Sequence, residues 1–340
     1  MRGCRYAGGS GPLVGLAGPG EMQPRAVNAA CAPDAHREKE NIVASVPARN
    51  VSGFVDPPKF EDYSEKYKDH IAMERRDGVI MLRMHTQGKA VVWSAPTHRA
   101  IHQAVREAGA DPENQVMILT ATGDFWVAYG VETRGEGNHL AEATTAQRAQ
   151  SSMDFFVGDG MPLQENLVFD VRIPTIAAVT GPGYHMEMAL MCDLTICTDD
   201  TVMVDVHKWM GFVSGDGVNI AYQGLMGEKR ANYAMLLGTP VTAAQALEWG
   251  MVNEVVPRAD IYDRAWELGA KVAEGGASRR VYRRMMTEIM RKPWKTRMSQ
   301  DFFGGFAAEM YGYMAETDVS HDDEALTEMW AQCGIEIPEW

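Results

Sequence analysis

Between Pro174 and Asn219 the chain reads PTIAAVTGPGYHMEMALMCDLTICTDDTVMVDVHKWMGFVSGDGVN, and this stretch organises the rest. Thr175 to Val179 is short, branched and apolar, and Gly181-Pro182-Gly183 closes it, which predicts a buried strand. Tyr184 to Cys192 predicts a helix with His185 and Glu187 in its first turn. A second buried strand, Leu194 to Cys197, follows Asp193. Val202 to Val204, His207 and a glycine-spaced loop, Gly211, Gly215 and Gly217 around Asp216, complete the stretch. Two histidines and several carboxylates thus fall at the ends of buried elements, beside loops able to admit a ligand, as catalytic groups usually do.

Outward from there, the N-terminal side predicts a strand over 78–84, a short apolar run over 90–93 and a helix from Pro96-Thr97 to Gly109. A strand over 116–120 ends at Gly123-Asp124, and a polar helix over Glu142 to Phe156 is expected to break at Gly158 to Pro162. On the C-terminal side Thr242-Ala-Ala-Gln245 is a capping box and Gly250 a stop, before a short strand over 252–256. Helices over 260–274, 278–291 and 299–315 then follow. The fold class is α/β with a helical C-terminal part. Alternation alone fits a doubly wound sheet and a coil of ββα units equally. Residues 1–55, rich in Gly, Ala and Pro and without periodicity, are expected to be a disordered extension. The core is expected over 56–257 and the helical region over 258–340.

The 340 residues are 46% hydrophobic and 23% charged, a composition of soluble globular chains able to bury a large core. A net charge of −14 argues against nucleic acid or an anionic membrane as partner. Five cysteines at irregular spacing give no disulfide framework and no Cys-x-x-Cys pair, so a cytoplasmic protein is expected. No apolar run reaches the roughly 18 residues of a membrane helix. No GxGxxG follows the first strand, and Gly224-Leu-Met-Gly-Glu-Lys lacks P-loop spacing.

Taken together, IPTIAAVTGPG…EMALMCDL, MGFVSGDG and LLGTPVTAAQALEWGMVNEVV resemble the crotonase (enoyl-CoA hydratase/isomerase) superfamily over about residues 60 to 290. The resemblance implies a spiral of ββα units and a helical C-terminal oligomerisation region, in homotrimers or dimers of trimers. The glycine run that supplies an oxyanion donor in CoA-thioester enzymes is replaced by Gly183, Tyr184 and His185. In the segment of the other donor Ala128 survives, but Val131 stands where an aspartate is usual. His207 replaces a hydratase glutamate. This altered set is similar to the β-diketone hydrolase branch, that of 6-oxocamphor hydrolase. It implies catalytic roles for His185, His207 and Asp216, and pocket roles for Trp93, His98 and Glu309.

The chemistry of these residue types agrees. Nine residues separate His207 from Asp216, about two and a half helical turns, so they meet only if the chain bends at Gly211 and Gly215. A carboxylate on one imidazole nitrogen would fix the tautomer and leave the other nitrogen to take a proton from water. The plain alternative is a loop histidine and an unrelated turn aspartate. His185, at an expected helix start, could stabilise an oxyanion, or simply bond a loop carbonyl. Glu187 is either an acid/base or a carboxylate orienting His185. His185-Met-Glu187 echoes zinc deaminases, but their Pro-Cys-x-x-Cys partner is missing and no metal is expected. Without the resemblance Trp93 reads as core, His98 as an exposed first turn and Glu309 as a solvated helix face. Arg279, Arg280, Arg283 and Arg284 could hold a CoA phosphate, or form a solvated face or subunit contact. The expected activity is cofactor-free cleavage of a cyclic or hindered β-diketone to a keto acid. The alternatives are an enoyl-CoA hydratase or isomerase using Glu187 and His207, a biosynthetic enzyme forming or cyclising a carbon skeleton, and a non-catalytic assembly partner.

Overall fold

The computed structural model describes residues 55–128, 144–315 and 323–332. The expected disordered extension lies outside these, Val55 apart, as do Val131, Glu142 and part of the C-terminal region. A six-stranded sheet forms the base. In spatial order it runs β1 (Ile71–Arg76), β2 (Val79–Met84), β3 (Val116–Ala121), β4 (Thr175–Val179), β5 (Leu194–Thr198) and β8 (Glu254–Val256). β1 pairs antiparallel with β2 across a tight turn at Asp77-Gly78, and every later pairing is parallel. Parallel strands need both faces covered, which is why β3 and β4 are apolar but for Thr120 and Thr175 and buried at every position. β1 was not expected: three apolar residues, Ile71 to Met73, run into three charged ones, Glu74 to Arg76, and Glu74 and Arg76 are exposed, as suits an edge strand.

After each of four strands the chain returns through a short extended segment, and these segments pair in a second ladder. Ala128 donates to Val91 O at 2.8 Å, Tyr184 to Val127 O at 3.4 Å, Gly183 to Val202 O at 3.1 Å and Val204 to Gly183 O at 3.1 Å. β6 (Val202–Met203) continues it to β7 (Val241–Thr242). Helices follow each segment: α2 (Ala95–Ala110), a long helical run over 145–170, α5 (Glu187–Leu190), and α6 (His207–Met210) with α7 (Val218–Met226). Strand, short strand, helix, repeated along a spiral, is the ββα coil that alternation alone left open. The ladder delivers Trp93, His185 and Asp205 to one edge, each one residue beyond its paired segment.

Two boundaries differ from expectation. Gly158 to Pro162 do not break the second helix. α3 (Thr145–Ser152) passes through π turns over Met153–Gly160 into α4 (Met161–Glu165), and Pro162 occupies the first turn of α4, where a missing N–H is tolerated. The helix after Gly183 is four residues long, and His185 lies ahead of it with φ 54°. The Thr242/Gln245 capping box starts α9 (Ala243–Glu248) as expected, and Gly250 is left-handed after it.

The C-terminal part is helical: α10 (Ile261–Ala273), α11 (Arg280–Met290), α12 (Lys292–Arg297), α13 (Phe303–Ala315) and α14 (Asp323–Gln332). α11 has the reverse of the usual polarity. Arg283, Thr287 and Arg291 face the body and are buried, while Val281, Tyr282, Met285, Ile289 and Met290 are exposed. Arg283 donates to the carbonyls of Ala273, Glu274 and Gly276. Arg291, at the end of α11, reaches the carbonyls of Leu167, Val171 and Ile173 and pairs with Asp193 through Nε at 2.8 Å. Of the arginine set, Arg283 is therefore neither on a solvated face nor in an open phosphate cradle, whereas Arg279 is exposed. No helix among the described residues is long and apolar enough to cross a membrane.

Candidate active site

Val206 is already helical, at φ −89° and ψ −13°, so the chain turns into α6 directly after Asp205, whose Oδ1 accepts the His207 N–H at 3.4 Å. Asp205 Oδ1 consequently meets His207 Nδ1 at 2.6 Å, while the Ser214 hydroxyl donates to Asp205 Oδ2. The carboxylate fixing His207 is Asp205, not Asp216 as expected. α6 stops after one turn because Gly211 turns left-handed at φ 82°. The returning loop brings Asp216 back, with Oδ2 4.0 Å from His207 Nε2, a Coulomb contact and not a hydrogen bond. Gly215 lies so close to the Gly305 backbone of α13 that any side chain would collide with it. That approach lets α13 insert Glu309, whose Oε1 is 3.3 Å from His207 Nε2 and whose Oε2 accepts the Gly215 N–H at 3.0 Å.

On the other side of Asp216 lies His185. Its Nδ1 is 2.9 Å from Glu187 Oε1 and 3.3 Å from Asp216 Oδ2. Asp216 thus bridges both histidines. His185 is held in a left-handed conformation that few non-glycine residues adopt, and the Trp126 indole N–H donates to its carbonyl at 3.1 Å. The ring stacks on Trp93 with centroids 3.9 Å apart and an interplanar angle of 28°. His98, from the first turn of α2, packs edge-on to Trp93 at 4.7 Å and is buried, not exposed. Its Nδ1 has no hydrogen-bond partner. Phe155, from the π segment, closes this aromatic wall 5.4 Å from His98.

Burial and proximity set the charges. Burial by itself would lower His185, but Glu187 and Asp216 outweigh it and push the imidazole up to about 9. Burial opposes charge on His207 too, yet Asp205, Asp216 and Glu309 hold it well above the ordinary imidazole range. Burial and then His185 push His98 down to about 3, so it is neutral. Asp216 is buried but flanked by the two imidazoles, which bring it down to about 2. Burial and the Asp216 charge raise Glu187 to about 7, and burial raises Glu309. Asp216 therefore carries the fixed negative charge, and Glu187 and Glu309 are the carboxyls that take up protons.

The structure brings together His185, Glu187, His207, Asp216, Glu309, Trp93 and His98. Two expected roles change. His185 stands ahead of a four-residue helix and not in its first turn, and it is paired with Glu187 and Asp216. Ala128 does not offer a free N–H, because the ladder pairs it with Val91 O. Asp205 and Ser214 were not singled out from the sequence. The Asp-x-His spacing was the readable signal for Asp205, while Ser214 had none. Two groups, His185/Glu187/Asp216 and His207/Asp216/Glu309, are compact enough to hold a metal ion. The same atoms pair His185 with Glu187 and Asp216, and His207 with Glu309.

A coil of ββα units with a buried histidine–carboxylate cluster at one edge of its short-strand ladder defines a crotonase-type fold. The sequence profile of the enoyl-CoA hydratase/isomerase family matches residues 74–322, and the chain belongs to that family. Among solved structures, a β-diketone hydrolase from the cyanobacterium Anabaena sp. PCC 7120, bound to (S)-3-oxocyclohexyl acetic acid, is 27% identical. The alignment covers 78% of this chain and 100% of that one, with a TM-score of 0.67. An enoyl-CoA hydratase/isomerase from Mycobacterium paratuberculosis shares the fold at 18% identity, covering 76% and 98%, with a TM-score of 0.65. Among characterised sequences, carnitinyl-CoA dehydratase of Salmonella paratyphi B is 28% identical over 199 residues, 58% of this chain and 72% of that relative.

Proposed function

We propose that this chain is a hydrolase that needs no cofactor and cleaves a carbon–carbon bond of a cyclic or hindered β-diketone by a retro-Claisen reaction. The observation that carries the reading is the pairing of unlike imidazoles across Asp216. His207 is fixed at Nδ1 by Asp205 with Nε2 turned to the cluster, and His185 is cationic and stacked on Trp93. His207 Nε2 and Glu309 Oε1, 3.3 Å apart, can share one proton. With the proton on Glu309, a neutral Nε2 accepts a proton from water as hydroxide adds to one carbonyl carbon. The His185 cation stabilises the tetrahedral oxyanion. Collapse forms the carboxylic acid and breaks the bond to the central carbon, leaving an enolate. A proton from the His207–Glu309 pair returns to that carbon, so the sum is diketone plus water to keto acid. The Anabaena hydrolase supports this reading, since its bound ligand is itself a cyclic keto acid.

The family match and the carnitinyl-CoA dehydratase favour a second reading, a CoA-thioester hydratase or isomerase using Glu187 with His207. Against it, the place of the oxyanion glycine holds His185, whose side chain fills the cluster. The test is an ultraviolet screen of monocyclic and bicyclic 1,3-diketones beside crotonyl-CoA. Loss of the dicarbonyl with a product heavier by one water supports the hydrolase; turnover of crotonyl-CoA alone replaces it with the second reading.

For assembly we propose a homotrimer or a dimer of trimers. The outward faces of α11 and of α8 (Glu228–Leu237), the latter with Tyr233, Leu236 and Leu237 exposed, supply an apolar surface that a lone chain leaves in water. Ile289→Asp is expected to lower the sedimenting mass to that of a monomer; an unchanged mass would remove α11 from the interface.

A further inference from the structure

We infer that Gln164 is a positioning residue that lets Glu187 pass between its ionised and neutral forms inside the buried cluster. Gln164 lies on α4 and is 1% exposed. Its Nε2 donates to Glu187 Oε1 at 3.2 Å, the same oxygen that faces His185 Nδ1 at 2.9 Å. The other oxygens of both side chains, Gln164 Oε1 and Glu187 Oε2, are buried and have no hydrogen-bond partner. Two orphan acceptors on adjacent side chains are unusual, because a buried polar atom without a partner forfeits its hydration. A proton on Glu187 converts one of its acceptors into an O–H donor.

An amide suits both states. As placed, its N–H stabilises the carboxylate. Rotated by half a turn, it offers its carbonyl to the carboxylic acid. No charged side chain at this position could serve both. The groups facing Glu187 are His185, Asp216 and, from α7, Tyr222, whose hydroxyl is also buried without a partner. An ionised Glu187 beside Asp216 holds His185 as a cation for the oxyanion, and a neutral one is a proton store one contact away. The catalytic meaning rests on the hydrolase reading; the effect of the amide on Glu187 does not.

The test is an infrared difference titration of the full chain, following the carbonyl band of a protonated carboxyl that disappears in Glu187→Gln. Its midpoint in the parent is expected near 7, where burial and Asp216 place Glu187. Gln164→Met keeps length and volume but removes the N–H donor, so ionisation becomes harder and the midpoint moves up by about one pH unit. Gln164→Glu, a second variant in case the first does not fold, adds a competing carboxyl and moves it further up. The corresponding limb of the kcat–pH profile on a β-diketone is expected to move with it. A midpoint unmoved in both variants would overturn the proposal. Infrared shifts without any diketone turnover by the parent would instead remove only the hydrolase reading.

Discussion

Two places in this molecule bury several charges at once, and they do so by opposite means. On α11 the charges are guanidiniums, which keep their proton at any working pH, and their partners are mostly backbone carbonyls. In the cluster at His185 and His207 every charged group is titratable, and each is paired with another titratable group. The first arrangement has one charge state and fastens a helix whose apolar side points outward. The second has several states of similar energy, which is what proton transfer needs and what a purely structural ion pair avoids.

The comparison can be broken at several points. The largest effect is expected for His207→Ala, which removes the proton acceptor and should lower kcat by about 10²–10⁴-fold. Asp205→Asn should lower it by about 10²-fold, because an amide permits the wrong tautomer at Nδ1. Stopped-flow or steady-state rates on a β-diketone check both, and an Asp205→Asn enzyme of full activity would show that Asp205 is structural. Arg291→Met leaves Asp193 with Thr175 as its remaining donor and takes the guanidinium from three carbonyls, and is expected to cost about 3–5 kcal/mol of unfolding free energy in urea. That loss should be the same at pH 6 and pH 9, since no titrating cation is involved.

The stability of the parent should instead depend on pH. His185 lies near 6.5 when unfolded and about 9 when folded, so its stabilisation is complete below 6.5 and lost as pH rises towards 9. Glu187, raised from 4.5 to about 7, adds a growing cost between those values. Asp216, lowered from 3.8 to about 2, loses its contribution as pH falls between them. The melting temperature should therefore be highest near pH 4, fall as Glu187 adds its cost up to about 7, and fall by several degrees more towards pH 9. A flat profile from 6.5 to 9 would mean that the cluster does not hold its protons as described.

Most strands were legible because β2 to β5 are apolar runs closed by glycine or acid, and the Thr242-to-Gln245 box marks its helix in four residues. β1 was not, since Ile71–Arg76 passes from three apolar residues to three charged ones without a strand period, and only pairing with β2 defines it. The continuous helix through Gly158 and Pro162 was hidden because π turns absorb residues that would end an α-helix. In the site, residue types and rough positions could be read, but not which carboxylate meets which imidazole. That depends on Gly211 turning back and on α13 pressing against Gly215, contacts with no local sequence signal. Asp216 consequently appeared to be the partner of His207, when the turn at Val206 into α6 gives that place to Asp205.

The account turns on water entering a carbonyl carbon under the control of His207. The direct measurement is turnover of a bicyclic 1,3-diketone in ¹⁸O-water, with mass spectra of the product from the parent and from His207→Ala. The account predicts a keto acid carrying one ¹⁸O in its carboxylate from the parent, and almost none from the variant. An unlabelled product, or equal turnover by both proteins, would contradict it.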